Sequence, residues 1–158
     1  FKQKTSYELV DGLVGSVLCR RDMHKAAGKV TGLAWHQDRW NFLDQDPLLT
    51  VWIPLDAATL ENGCVQIIRG SHRKGLINPD PSSGFLTETQ AIEHAPVEDV
   101  VPILVKPGDL VVLHNHLLHA SDKNRTSSPR RALSVCYMNG YTKNIAEPAV
   151  TYPQLFTT

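Results

Sequence analysis

Short apolar runs broken by turn residues dominate the chain from Ser16 to Met138, a pattern of β structure rather than of helices. The runs predict strands over residues 16–20, 33–38, 48–55, 64–69, 100–106, 110–116 and 131–138. Glu61-Asn62-Gly63, Gly70-Ser71, Lys106-Pro107-Gly108-Asp109 and Thr126-Ser127-Ser128-Pro129 separate them with turn chemistry. A short helix is expected over residues 6–14, capped by Thr5 or Ser6 and stopped by Gly15. Residues 78–98 are polar and irregular, with Pro79, Pro81 and Gly84; such an insertion reads as a mobile segment or a lid over a site. The tail, residues 141–158, has little periodicity and is expected to wrap the surface. Strands of this number without alternating helices predict an all-β sandwich, jelly roll or barrel.

A length of 158 residues fits one domain, here residues 1–158, and 42% hydrophobic content is enough to bury a core. Sixteen basic residues balance sixteen acidic ones. A nucleic-acid binder would show a basic excess, so that class is excluded as a partner. No apolar run reaches the roughly 18–20 residues of a membrane span, and disorder would need lower hydrophobicity with higher net charge. Cys19, Cys64 and Cys136 are odd in number, far apart and never in a C-x-x-C pair. They read as free thiols in a reducing, cytoplasmic compartment rather than as a disulfide scaffold or a thiolate zinc site. Phe1 opens the chain without an initiator Met, which reads as a trimmed start, and no charged-then-apolar leader follows it.

Chemistry concentrates on seven histidines. In Trp35-His36-Gln37-Asp38, strand alternation turns His36 and Asp38 to one face and Trp35 and Gln37 to the other. An imidazole and a carboxylate two residues apart can share a divalent ion of intermediate hardness such as Fe(II). H-x-D alone is weak, because it arises by chance and both side chains can simply be solvated. A second imidazole would complete a two-His-one-carboxylate triad with open positions. Leu113-His114-Asn115-His116-Leu117-Leu118-His119 offers three. His114 and His116 share a parity and read as surface or supporting histidines. His119 stands before the small Ala120 and Ser121, where a turn is expected and a ligand has room. Arg130 follows a polar turn that would bring it back near the level of His119, and its alternation partners Ala132 and Ser134 leave a hollow. A guanidinium there offers a fork matched to a carboxylate, although spacing alone leaves an ordinary surface arginine open.

These residues resemble the phytanoyl-CoA dioxygenase family. The resemblance is carried by Trp35-His36-Gln37-Asp38, Leu49-Thr50-Val51-Trp52-Ile53-Pro54-Leu55-Asp56, Glu61-Asn62-Gly63-Cys64, Gly70-Ser71-His72-Arg73, Lys106-Pro107-Gly108-Asp109-Leu110 and His119-Ala120-Ser121 with Asn124 and Arg130-Arg131-Ala132-Leu133. It implies a double-stranded β-helix, a cupin-like jelly roll with a minor flanking helix, and a non-haem Fe(II)- and 2-oxoglutarate-dependent dioxygenase. The activity it implies is hydroxylation of an aliphatic C–H of a small organic molecule or acyl derivative by dioxygen, with release of succinate and CO2. It implies His36, Asp38 and His119 as iron ligands, Arg130 on the distal carboxylate of 2-oxoglutarate, and Ser121 as a supporting donor. Gln37 and Trp52 match positions that contact the cosubstrate in some relatives, but alternation turns Gln37 away unless the strand bends. His72 belongs to a turn motif and is expected to be structural, and Arg69 stands where relatives usually carry Pro. The N-terminal, largely helical region of family members is not matched.

A carboxylate at residue 38 favours hydroxylation over halogenation, since relatives that halogenate carry a small residue there. The alternatives are a metal-binding jelly roll without oxygenase turnover and a zinc hydrolase using the same triad. Arg130 speaks against the hydrolase, which has no need of a carboxylate clamp opposite its metal.

Overall fold

The computed structural model describes residues 15–28, 32–80, 83–152 and 154. The helix expected over residues 6–14 lies outside them. Two four-stranded antiparallel sheets form the body, as a jelly roll requires. One runs β1 (Gly15–Lys25), β8 (Arg130–Asn139), β3 (Leu49–Pro54), β6 (Val111–His114). The other runs β2 (Leu33–His36), β7 (His119–Ser121), β4 (Val65–Ile68), β5 (Val100–Pro102). Consecutive strands therefore alternate between sheets for most of the chain.

Alternation explains which faces meet. In β3, Thr50, Trp52 and Pro54 are buried while Leu49, Val51 and Ile53 are half-buried. Trp52 joins Ala58, Cys64 and Ala132 in one buried cluster, with Met23, Val65, Val105 and Val111 against it. A second cluster, Ile68, Ala95 and Leu118, packs with Trp35, Ile77, Leu86 and Val100 under the smaller sheet. Leu118 is fully buried, and removing such a side chain from water is worth about 2 kcal/mol.

The differences from the expected elements have physical causes. β1 runs on to Lys25 because it pairs with β8 along its whole length, despite the polar run Arg20-Arg21-Asp22. It is an edge strand, where charged residues are tolerated. The 33–38 strand stops at His36. Ala120 and Ser121, expected in a turn, belong to β7, where Ser121 pairs with both Leu33 and Val65. Residues 78–98 carry a helix, α1 (Glu88–His94), begun by a capping box in which Thr87 and Gln90 satisfy each other's backbone N–H. The Thr-x-x-Gln signal was present in the sequence but overshadowed by the prolines.

Candidate active site

β2 and β7 bring two imidazoles side by side, their planes tilted by 46°. His36 pairs with His119 in register, and their ring centroids lie 4.0 Å apart. The register slips between Leu33 and His36, so three steps along β2 match two along β7. This bulge overrides strict alternation: Leu33 and His36 both reach the cavity wall together with His119 and Ser121.

Each imidazole is held in one tautomer. His36 Nδ1 meets the Ala34 carbonyl at 2.8 Å, and His119 Nδ1 meets the Leu117 carbonyl at 2.9 Å. Each Nδ1–H thus donates to a backbone oxygen two residues back, which leaves Nε2 as the free lone pair. Both Nε2 atoms stand 3.7 Å from an Asp38 oxygen, His36 from Oδ1 and His119 from Oδ2. One ligand atom from each of the three lies within 4.8 Å of the others, the spacing of a shared ion. Burial, reinforced by the neighbouring His119, pushes His36 down to about 4 against the pull of Asp38. The ring is neutral at pH 7, as a metal ligand must be.

Asp38 is positioned by loop contacts and not by a strand. Its N–H donates to the Asn115 carbonyl at 2.8 Å, and the preceding Gln37 N–H donates to Gly84 at 2.9 Å. A Cβ on Gly84 would stand 2.0 Å from the Gln37 carbonyl oxygen, so only glycine allows that approach. Gln37 lines the cavity, but its carboxamide is committed elsewhere. Nε2 donates to Gly75 and His116 carbonyls, both at 2.8 Å, and Oε1 accepts from Ile77 N–H at 2.8 Å. With these three bonds the side chain braces the loop from the cavity wall.

The cavity of about 260 Å³ extends from this triad to the facing sheet. There, on β8, Arg130 is 2% exposed. It does not return beside β7, as a simple reversal would have it; the chain crosses to the other sheet, where Arg130 pairs with Lys25. Its Nε and Nη1 have no hydrogen-bond partner, and neither has the buried Nε1 of Trp52, over whose ring the guanidinium sits at 5.5 Å. Burial presses the guanidinium below its usual pKa, but an arginine stays charged in a protein. A buried, charged fork without a partner is costly unless a ligand completes it. The donor set matches a carboxylate. Ser121 is buried in the same wall.

Other expected residues fall outside this cluster. His114 meets His72 in a tilted ring pair at 5.0 Å and His116 edge-on at 5.4 Å, and His116 Nε2 stands 3.5 Å from Asp46. Sequence reasoning missed Gly84, Asn115 and Phe85, whose ring stacks on His36 at 5.0 Å. Asn115, hidden between two histidines, was legible only as a buried polar residue in an apolar run.

A jelly roll here converges two histidines and an aspartate on one point, opposite a buried arginine, a donor set suited to a non-haem iron centre. The family model for phytanoyl-CoA dioxygenase (PhyH) matches residues 4–132, and the chain belongs to that family. Phytanoyl-CoA dioxygenase 1 of Oryza sativa subsp. japonica is 38% identical over 63% of this chain and 36% of its own length. Among solved structures, the apo form of the non-heme monooxygenase ThoJ shares 25% identity with a TM-score of 0.74, over 91% of this chain and 54% of that one. EvdO2 from Micromonospora carbonacea var. aurantiaca, solved with 2-oxoglutarate, shares 26% identity with a TM-score of 0.64, over 82% and 54%. The chain thus spans about a third to a half of the length of the relatives it matches.

Proposed function

We propose that this chain is the catalytic jelly roll of an Fe(II)- and 2-oxoglutarate-dependent dioxygenase that hydroxylates an aliphatic C–H of a small organic or acyl substrate, with release of succinate and CO2. One observation carries the reading: a cluster of three candidate ligands and a buried guanidinium with two unpartnered nitrogens share one cavity. His36, Asp38 and His119 would hold iron, and Arg130 would hold the far carboxylate of 2-oxoglutarate, with Ser121 and Trp52 beside it. Iron and cosubstrate supply the activation of dioxygen that amino-acid side chains lack.

The chain's own residues prepare that chemistry. The Ala34 and Leu117 carbonyls keep both Nε2 lone pairs turned to one point. Asp38 closes the third position, which favours hydroxylation, because a halogenating site leaves that position to halide. Leu33, Val65 and Leu113 keep the cavity wall apolar and limit water. Gly84 and Phe85 line the cavity, and the segment they belong to, residues 78–98, would act as a lid. No helix among the described residues is long and apolar enough to cross a membrane. Cys64 and Cys136 are buried, and a cytoplasmic setting is part of this proposal.

The test is anaerobic titration with Fe(II) and 2-oxoglutarate, followed by succinate assay in air. A weak metal-to-ligand band in the visible and iron-dependent succinate are expected. Absence of the band overturns the reading; a band without succinate over a broad substrate panel favours a metal-binding domain without turnover.

A further inference from the structure

Among the described residues, His72 Nδ1, Asn115 Oδ1 and two groups of other buried polar atoms lack hydrogen-bond partners. Arg130 and Trp52 form the first, accounted for by the cosubstrate. The second gathers at Asp46, where Arg39 Nε and His116 Nε2 stand 3.7 and 3.5 Å from Oδ2. Neither distance is a hydrogen bond. Arg39 directly follows the ligand Asp38 and forms part of the same cavity wall. The cavity therefore has an arginine on each side of the triad: one deep in the facing sheet and one beside Asp38.

Depth separates their roles. Arg130 and Trp52, 2% and 4% exposed, lie at the closed end, whereas Phe85, 45% exposed, stands on His36 at the open end. The backbone of Arg39 lies by the open end, its N atom 3.8 Å from the position of a Cβ on Gly84, the neighbour of Phe85, and its side chain is 16% exposed. It is also held in place. Nη1 donates to the Asp80 carbonyl at 3.0 Å, and Asp46 attracts the guanidinium while its own Oδ1 is taken by Trp40 N–H at 3.1 Å. A guanidinium carries five donors, and the bond to the Asp80 carbonyl uses one of them. A cation fixed before binding loses little entropy when a ligand arrives.

We infer that Arg39 anchors an anionic oxygen group, a carboxylate or a phosphonate, on the organic substrate, with the carbon chain laid against Phe85. The inference rests on the oxygenase reading of the same cavity. It places the substrate among short organic acids rather than neutral alcohols or amines.

The test is calorimetric and independent of turnover. The full chain, loaded with redox-inert Ni(II) and 2-oxoglutarate, is titrated with hexanoate, hexylphosphonate and hexan-1-ol. One anion at least is expected to bind about tenfold more tightly than the alcohol, the value of one charge-assisted contact. Arg39→Met should erase that preference with 2-oxoglutarate affinity retained, and Arg39→Lys should keep part of it. Equal binding of all three probes, or a preference unchanged in both variants, overturns the inference. An Arg39 that merely braces Asp46 predicts a lower melting temperature with the preference intact, and that outcome also overturns it. Failure of 2-oxoglutarate to bind the Ni(II)-loaded wild type sinks the oxygenase reading instead. The probes are then compared in Arg130→Met, where a preference lost on adding Arg39→Met still supports Arg39 and its persistence does not.

Discussion

His36 and His119 sit directly opposite each other on neighbouring antiparallel strands, with ring centroids 4.0 Å apart and Nδ1 atoms tied to backbone carbonyls. Pairing of β2 with β7 thus builds two-thirds of the triad at once. Asp38 is the part added by a loop, and several expectations follow from that division.

Asp38→Ala should abolish succinate formation, because it removes the only carboxylate of the triad. His114→Ala should leave metal content unchanged, since that ring contacts His72 and His116 and not the triad. Metal analysis after dialysis, paired with succinate assay, checks both. Turnover in the first variant or metal loss in the second would reverse the ligand assignment.

Gly84→Ala should disturb Asp38 without touching it. The added methyl would lie 2.0 Å from the Gln37 carbonyl oxygen, so the backbone between His36 and Asp38 must shift. Metal affinity is expected to fall by about ten- to a hundredfold, the scale of losing a supporting contact to a ligand. Competition with a metal-sensitive dye measures it; wild-type affinity would show that the loop gives way elsewhere.

Arg130→Met should separate binding from folding. Loss of two charge-assisted hydrogen bonds of about 1.5–3 kcal/mol each predicts a rise in the 2-oxoglutarate Kd of more than a hundredfold. The unliganded protein should melt no lower, because the replaced charge has unpartnered buried nitrogens and Met fills similar space. Calorimetry on both proteins checks the pair of outcomes, and a large drop in melting temperature would mark Arg130 as structural.

Acid should loosen the clamp between β8 and the end of β3. Arg131 grips Asp56 through Nε, Nη2 and its own backbone N–H, each at 2.8 Å, and holds that carboxyl down to about 2. A depressed carboxyl stabilises the fold above its unfolded value near 3.8 and loses that contribution as pH falls through its folded value. The difference in urea midpoint between wild type and Asp56→Asn should therefore be constant above about pH 5 and narrow toward pH 3. A difference that ignores pH would remove the ion pair from the account.

The triad types, their order and the β-rich class were legible because turn residues and short apolar runs are local signals. His36, Asp38, His119 and Arg130 all proved to be in the cavity wall, and Trp52 and Ser121 with them. Gln37 was read by alternation as turned away and by resemblance as a cosubstrate contact; its three backbone bonds show a brace. Helix α1 escaped because two prolines and a glycine masked its capping box.

What tertiary structure alone decided was geometry between distant segments. The bulge in β2, the crossing of Arg130 to the facing sheet and the approach of Gly84 to Gln37 depend on which strands pair and in what register. Those choices are set by burying two inner faces against each other, a condition on the whole chain that no local run of residues contains. The amino-acid order specified the donors; packing determined the point on which they meet.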